Sequence, residues 1–407
     1  MRCRHCAENL KHELIDLGAQ PPSNSYLKKE NLEMAEIYLP LKVYVCSSCF
    51  LVQTADFTQR ETFFNEEYAY FSSTSQTWLD HAKNYVSEMC KRFKISKTSF
   101  VIEVASNDGY LLKNFLDKKI PCLGIEPTAS TAKVSADLGI DTLVQFYGVE
   151  TALEVYKKHG AADLITCNNV YAHVPDINDF TKALEISLSE NGVVTIEFPH
   201  LQNLIELDQF DTIYHEHFSY LSVGVVQKIF AAHNLRIFDV DKLTTHGGSV
   251  RVYGCKDKAV HECSDNVNAI IDEEIKHGLF NLSTFENFSN RATNIKLRFL
   301  EFLIKAHEEE KTVCGYGAAA KGNTLINFAG VKPDLLPFVG DAAPSKIGKY
   351  LPGSRIPIVP PHVLEDMKPD YIIIFPWNIT AEVKTQFAGL VEDGCKFFTF
   401  IPSFREV

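Results

Sequence analysis

The chain has 407 residues, of which 45% are hydrophobic, and a formal net charge of -12. This length predicts two or three domains, each with a sizeable core. The negative charge argues against nucleic acid or an anionic membrane as the main partner. No apolar run approaches the roughly 20 residues that span a bilayer, and the first residues do not resemble a signal peptide, so we expect a cytoplasmic protein.

Four of the eleven cysteines form two Cys-x-x-Cys pairs. These are Cys3, Cys6, Cys46 and Cys49. Four thiolates are the ligand set of a closed, tetrahedral, structural zinc site. Two redox dithiols are the alternative, and His5, inside the first pair, is a less suitable ligand. Short β-rich segments surround the second pair, so we expect a small zinc-stapled domain.

The most diagnostic unit begins at residue 100. An apolar strand at 100–105 contains Glu103, and a second buried strand at 121–127 contains Glu126. The turn after the first strand consists of Ser106, Asn107, Asp108 and Gly109. Strand, turn, helix, strand and acid, in that order, predict the mononucleotide half of a doubly wound α/β fold. Glu126 would then accept hydrogen bonds from ribose hydroxyls.

This turn departs from the Gly-x-Gly-x-x-Gly pattern of dinucleotide sites. Asp108 and its polar neighbours would place side chains and negative charge where a pyrophosphate must approach the backbone. A cationic ligand with an adenosine tolerates them, which favours S-adenosylmethionine. A Rossmann-like unit without a cofactor is the alternative.

A further strand at 162–170 ends in Asn168 and Asn169, at the edge where open α/β sheets bind ligands. His173 follows directly and either lines the cleft or has a structural role. The segment 214–220 contains Tyr214, His215, Glu216 and His217. These groups suit acid/base chemistry. A metal site of His215 and His217 is the alternative, but it lacks an obvious third ligand.

A polar helix at about 281–310 leads into a second strand, glycine-rich turn and helix. This unit contains Gly317, Lys321 and Asn323. Small residues and a lysine at a helix amino terminus suit an anionic phosphate. The alternative is close packing of the helix on the strand, without a ligand.

Six motifs in chain order carry a family resemblance. They are the two cysteine pairs, 68–73, 103–109, 214–220, 246–249 and 315–322. Together they resemble the nucleotide-sugar 3-C-methyltransferases, which make branched deoxysugars. The resemblance implies a zinc-binding domain at 1–67, a class I methyltransferase-like domain at 68–280 and a Rossmann-like domain at 281–407 that helps bind the nucleotide sugar.

The resemblance also implies an active site. Tyr214, Glu216 and His217 line it, with the histidine as base, and His173 joins them. A tyrosine of the 68–73 motif completes the site, and we assign it to Tyr70, with Tyr68 as the alternative.

The implied reaction is methylation at C3 of a 4-keto-6-deoxyhexose. The C4 ketone acidifies the C3 proton, so a base and an enolate stabiliser are required. Two alternatives are a sugar O-methyltransferase and a catalytically inactive nucleotide-sugar-binding protein. We expect a monomer.

Overall fold

A computed structural model of the chain describes residues 1–55, 72–74 and 76–407. The strands belong to three sheets of four, seven and six strands. Of the helices in these ranges, none combines the length and the apolar character that a bilayer span requires.

The first sheet is antiparallel and holds both cysteine pairs at one end. Its strands from the amino-terminal region are β1 (His12–Gln20), β2 (Leu39–Val45) and β3 (Val52–Thr54). Alternating burial along β2 shows why it forms a half-buried strand, since every second side chain faces the core. The fourth strand, β9 (Ser219–Tyr220), comes from the middle of the chain and pairs with β3.

The middle region forms the seven-stranded sheet and its flanking helices. In chain order its elements are α1 (Gln76–Arg92), β4 (Val101–Val104), α2 (Leu112–Asp117), β5 (Cys122–Ile125), α3 (Ala129–Asp137), β6 (Thr142–Leu143), α4 (Val149–His159), β7 (Ala162–Asn168), α5 (Ile177–Ser187), β8 (Leu188–Pro199), α6 (Leu201–Glu206), α7 (Val223–Ala231), β10 (Leu235–Leu243), β11 (Ser249–Lys256) and α8 (Asp265–Lys276).

The order of strands in this sheet is β6-β5-β4-β7-β8-β11-β10. Neighbours from β6 to β8 run parallel, whereas β11 is antiparallel to both β8 and β10. The strand order reverses at β4, so the carboxyl ends of β4 and β7 border the crevice where such sheets bind ligands. The predicted doubly wound sheet is confirmed.

The last region repeats the α/β arrangement on a smaller scale. Its elements are α9 (Phe288–Glu308), β12 (Val313–Tyr316), α10 (Ala320–Ala329), β13 (Val339–Gly340), β14 (Ile358–Val359), α11 (Pro361–Met367), β15 (Tyr371–Ile374), α12 (Thr380–Gln386), α13 (Ala388–Glu392), β16 (Lys396–Thr399) and β17 (Arg405–Glu406). Its sheet has the order β14-β13-β12-β15-β16-β17, with only the β16–β17 pair antiparallel.

The first and last regions share one hydrophobic core. Leu14 and Leu17 of β1 belong to the same buried cluster as Phe299 and Leu303 of α9 and Leu325 of α10. Burial of apolar surface contributes roughly 25 cal/mol per Å². The amino-terminal and carboxyl-terminal regions therefore stabilise each other by burying apolar surface at their contact.

Candidate active site

The two cysteine pairs converge on one point. The four Sγ atoms of Cys3, Cys6, Cys46 and Cys49 all lie within 4.8 Å of one another. The Cys3–Cys49 and Cys6–Cys46 Sγ pairs are each 3.5 Å apart. Tetrahedral zinc with Zn–S bonds of about 2.3 Å holds its thiolates about 3.8 Å apart. This donor set fits zinc and leaves no coordination position for a substrate.

His5 does not join the cysteines. Its Nδ1 lies 2.9 Å from Oδ1 of Asn178, at the start of α5. Within the described ranges, no other group of three or more His, Cys, Asp or Glu side chains is arranged to hold a metal. Among the described residues, His215 and His217 therefore have no further ligand with which to form a metal centre.

The crevice at β4 and β7 has an unusual set of buried polar atoms. Among the described residues, five of its side chains have a buried polar atom with no hydrogen-bond partner. These atoms are Glu103 Oε2, Ser106 Oγ, Asp108 Oδ1, Asn168 Nδ2, and both Oδ1 and Nδ2 of Asn169. Unpaired buried polar groups are costly, and a polar ligand can satisfy them. The crevice therefore fits the adenosine and amino-acid groups of S-adenosylmethionine.

The backbone of the first turn explains its sequence. Ala105, Asn107 and Gly109 all have positive φ angles, of 57°, 49° and 80°. At Gly109 a Cβ atom would lie 2.6 Å from Ile140, so only glycine fits. The Glu126 carboxylate accepts hydrogen bonds from the backbone N–H groups of Asn107 and Thr128, at 2.9 and 2.8 Å, and thereby orders the turn.

Three carboxyl groups, those of Glu103, Asp108 and Glu126, lie close together in this crevice. Burial raises the pKa of Glu103 well above its usual range, and the nearby Asp108 and Glu126 carboxylates raise it further. Burial also raises the pKa of Glu126. A cation such as the sulfonium of S-adenosylmethionine would relieve this repulsion, whereas a pyrophosphate would add to it.

The crevice leads directly to the histidine segment. A short 3-10 turn at Tyr171–His173 follows β7. The N–H of Phe218 donates to the carbonyl of Ala172 at 2.8 Å. The rings of His173 and His217 are 4.7 Å apart between centroids, in an edge-to-face arrangement. The structure therefore brings His173 and His217 together.

His217 is held in one tautomer by its backbone neighbour. The residue ends a tight turn, in which its N–H donates to the carbonyl of Tyr214 at 2.9 Å. The ring Nδ1 lies 2.8 Å from the carbonyl oxygen of Thr212. A carbonyl only accepts, so Nδ1 carries the hydrogen and the neutral ring has its basic lone pair on Nε2. The Tyr214 ring packs against it with a centroid distance of 3.9 Å.

The histidine and glutamate neighbours of His217 differ in their surroundings. His215 Nε2 lies 3.1 Å from the carbonyl oxygen of Leu39 in β2, and burial lowers the pKa of His215. Burial raises the pKa of Glu216 to about 7. Both oxygens of this carboxylate accept from Nδ2 of Asn24, at 2.9 and 3.0 Å. Burial lowers the pKa of His173 to about 4, so this ring is neutral at pH 7.

The glycine-rich turn of the last domain also carries a carboxylate. Asp341, after β13, accepts a hydrogen bond from the N–H of Ala318 at 2.7 Å. Gly317 has a φ of 90°, and a Cβ there would lie 2.2 Å from Pro376. The ammonium of Lys346 lies 3.6 Å from Asp341 and 2.9 Å from the carbonyl of Ala318. This turn is less favourable to an anion than its sequence indicates, although Lys346 adds a positive charge beside it.

The side chains of Lys321 and Asn323, both on α10, lie in different environments. The Lys321 ammonium lies 4.3 Å from the centroid of the Trp377 ring and 3.2 Å from Oδ1 of Asn378. Burial lowers the pKa of Lys321. Asn323 is 1% exposed, and its Oδ1 accepts from Asn327 at 3.0 Å. Asn323 therefore packs inside the domain, while Lys321 lies at the junction with the middle domain.

Tyr70 and its alternative Tyr68 lie outside the described residues. Two residues absent from the sequence interpretation, Asn24 and Tyr26, belong to the site. The Tyr26 hydroxyl donates to the carbonyl of Ala318 at 2.6 Å. Burial raises the pKa of Tyr26 well above its usual range, and the carboxylates of Asp341 and Glu216 raise it further. No motif marks these two residues, because they reach Glu216 only through the tertiary fold.

Three family models match consecutive parts of the chain. Residues 3–64 match a family described as "Putative zinc binding domain", residues 78–240 a methyltransferase domain, and residues 244–402 a C-methyltransferase C-terminal domain. The C-methyltransferase NovU of Streptomyces niveus is 31% identical over 405 residues, which cover 100% of this chain and 96% of that relative.

Solved methyltransferase structures overlap part of the chain. A SAM-dependent methyltransferase from Anabaena variabilis shares 15% identity, covers 44% of this chain and 86% of its own, and has a TM-score of 0.36. Magnesium protoporphyrin IX methyltransferase from Synechocystis, with bound SAM, shares 10% identity, covers 44% and 79%, and has a TM-score of 0.34.

The full-length relative and the consecutive family models agree with the zinc-ligand set and with the ligand-binding crevice of the doubly wound sheet. The chain belongs to the C-methyltransferase family and is an S-adenosylmethionine-dependent enzyme with a class I methyltransferase fold and a zinc-binding amino-terminal domain.

Proposed function

We propose that the enzyme methylates C3 of a nucleotide-linked 4-keto-6-deoxyhexose. The observation that carries this proposal is the environment of His217. Its Nδ1–H is directed at the Thr212 carbonyl, 2.8 Å away, so Nε2 is the basic atom of the neutral ring. The acceptor of a C-methyltransferase is carbon, and a C–H bond becomes acidic enough for a histidine base when a neighbouring ketone delocalises the charge.

We assign the proton-transfer role to His217 and the enolate contacts to Tyr214 and His173. Burial lowers the pKa of His173 to about 4, so its ring is neutral, and its one N–H contacts a developing oxyanion by exchanging its present hydrogen bond to the backbone of Glu216. S-adenosylmethionine, held by the crevice residues, would supply an electrophilic methyl group on a sulfonium leaving group. By resemblance, Tyr70 is the further active-site residue.

Glu216 is the candidate contact to a sugar hydroxyl. Its carboxylate accepts from Asn24, whereas the Nδ1 of His217 is oriented by the Thr212 carbonyl. Because Thr212 orients the ring of His217, we assign Glu216 to substrate binding and not to orientation of the base. We propose the same crevice residues that fit S-adenosylmethionine as its binding set: Glu103, Ser106, Asn107, Asp108, Gly109, Glu126, Asn168 and Asn169.

The nucleotide is proposed to bind against the last domain. Gly317 and Lys321 flank the turn between β12 and α10, and Lys346 provides a second ammonium beside it. We propose three domains, with the acceptor between the middle and the last. The buried position of Asn323 gives it a packing role at this turn.

The substrate proposal is tested with matched nucleotide sugars. The enzyme, labelled S-adenosylmethionine and either a 4-keto-6-deoxyhexose nucleotide or its 4-hydroxy counterpart are incubated, and label in the sugar is measured. We expect label only in the keto sugar, at C3 by NMR. Transfer to the 4-hydroxy sugar at a similar rate would contradict the enolate mechanism.

A further inference from the structure

We propose that Arg4, inside the first cysteine pair, is a positioning residue for methyl transfer. It ties the zinc site to the turn that carries His217 and to the loop that carries His173. This inference rests on the proposed roles of these two histidines.

The guanidinium of Arg4 joins three separate segments of the chain. Its Nε donates to the carbonyl of Phe218 at 3.2 Å, Nη1 to that of Pro175 at 3.1 Å, and Nη2 to that of Thr54 at 3.0 Å. Its Cζ also lies 4.9 Å from the centroid of the Phe218 ring. The planar guanidinium has five N–H donors in fixed directions, so it can hold three acceptors at once.

These acceptors flank the two imidazoles. Phe218 is the residue after His217, and Pro175 is two residues after His173. The rings of these histidines are 4.7 Å apart between centroids. Arg4 therefore fixes the spacing of the two loops that set the relative position of these rings.

The zinc site in turn fixes the backbone of Arg4. Its N–H donates to Oε1 of Gln53 at 2.9 Å, and Nε2 of Gln53 donates to the Cys3 sulfur at 3.3 Å. On the other side, Nδ2 of Asn178 donates to the Arg4 carbonyl at 3.1 Å. The arginine is thus held between a zinc ligand and helix α5.

The second cysteine pair reaches the same turn through β3. This strand begins three residues after Cys49 and pairs with β9, with Gln53 opposite Ser219. The hydroxyl of Thr54 donates to the carbonyl of His217 at 3.1 Å. The zinc-binding domain therefore contacts this turn twice, because Arg4 binds the carbonyl of Phe218 and Thr54 binds that of His217.

The deciding variant is Arg4→Lys, because one ammonium cannot reach three carbonyls in these directions. The matched control is Arg236→Lys, whose guanidinium also joins three carbonyls, those of Asp257, Ala259 and His261, elsewhere in the middle domain. Thr54→Val, which removes only the hydroxyl bond to His217, is measured in parallel.

Three properties are measured on each purified full-length protein: zinc content, the Kd for S-adenosylmethionine by calorimetry, and the ring resonances of isotopically labelled histidines. Turnover is followed with the 4-keto nucleotide sugar. In Arg4→Lys we expect kcat to fall between about 10-fold and 10²-fold. Zinc content and Kd should stay within about twofold, while the His217 and His173 resonances shift. Thr54→Val should shift the His217 resonance and lower kcat less.

Unchanged kcat and unchanged histidine resonances in both variants would overturn the proposal. An equal fall in kcat for Arg236→Lys would also overturn it, since general destabilisation would then explain the effect. Absence of turnover by the unmodified enzyme would contradict only the proposed substrate, because the histidine resonances test Arg4 without a sugar.

Discussion

Two adjacent residues in the turn that carries the proposed base face different regions of the molecule. The ring of His217 is oriented by Thr212 within its own segment, whereas the carboxylate of Glu216 accepts from Asn24, 192 residues away in sequence. Neighbouring side chains therefore have separate partners, and their contributions can be separated by mutation.

Replacement of His217 by Asn should remove the proposed base while keeping a side chain of polar character. We expect kcat to fall by about 10² to 10⁴, the range typical of a lost general base. The Kd for S-adenosylmethionine should be unchanged, as should its stabilising effect in a thermal scan. Solvent deuterium exchange at C3 of the keto sugar should also be lost. Exchange at the unmodified rate would remove His217 as the base.

Glu216 should make stability depend on pH. Its folded-state pKa of about 7 lies above the ordinary value of 4.5, so the folded protein binds this proton more tightly than the unfolded chain. The resulting stabilisation is complete below pH 4.5 and is lost as pH rises through 7. Relative to Glu216→Gln, the unmodified protein should lose about 3 kcal/mol of unfolding free energy across this window.

Urea unfolding of both proteins at several pH values measures this difference. The control is Glu190→Gln, at a carboxylate that is 83% exposed. A constant difference between Glu216→Gln and the unmodified protein from pH 4 to pH 8 would contradict the assigned cause.

At the scale of elements, the turns of the two strand-turn-helix units are stabilised in the same way. Glu126, after β5, accepts from the N–H of Asn107, and Asp341, after β13, accepts from the N–H of Ala318. In each unit an acid at the end of the second strand orders the turn after the first. The two turns are therefore more alike than their sequences indicate. The proposed preference of the second turn for an anion depends on the ammonium groups of Lys346 and Lys321.

The zinc sheet contains part of the segment 214–220, because β9 is its fourth strand. We expect Cys46→Ser to abolish stoichiometric zinc binding and to unfold the amino-terminal region, since a structural zinc site contributes folding free energy directly. Turnover should then be lost together with zinc, as measured by elemental analysis, circular dichroism and activity.

The control is Cys263→Ser, at an exposed cysteine away from the metal site. This variant should keep zinc and activity. A folded and active Cys46→Ser protein without zinc would contradict the structural role of the metal.

At the scale of the whole molecule, the segment 211–217 of the middle region is held by the first and the last regions. The indole N–H of Trp377 donates to Asp211 at 2.8 Å, and the Thr324 hydroxyl donates to the carbonyl of Ile213 at 2.9 Å. On the opposite side, Thr54 binds the carbonyl of His217. The position of His217, the proposed base, is thus a property of the assembled chain.

A fragment of residues 1–280 should not unfold cooperatively. Removing the last region exposes the face of β1 that carries Leu14 and Leu17, which packs in the same cluster as Phe299 of α9. We expect the fragment to bind a hydrophobic dye and to lack the sharp thermal transition of the full chain. A fragment with the same melting temperature as the full chain would show that its core is independent.

Assignment to the C-methyltransferase family decides between the alternatives left open by the residues. It is inconsistent with sugar O-methylation as the activity and with an inactive binding protein. The zinc site and the S-adenosylmethionine-binding fold were both predictable, because short spacings such as Cys-x-x-Cys and local strand-turn-helix patterns determine them. Asn24 and Tyr26 were not predictable, because nothing local marks a loop residue whose partner lies about 190 or more residues away.

The amino-acid sequence by itself determined the zinc ligands, the doubly wound sheet and the group of His217, Glu216 and Tyr214 within one short segment. These features depend on hydrophobic periodicity and on spacings of a few residues. Only the tertiary structure decided which distant neighbours those residues have: Asn24 for Glu216, Thr54 for the backbone of His217, and Arg4 for the loops beside both histidines. Pairing of distant segments is selected by burial and hydrogen bonding in the assembled core, and no local pattern specifies it.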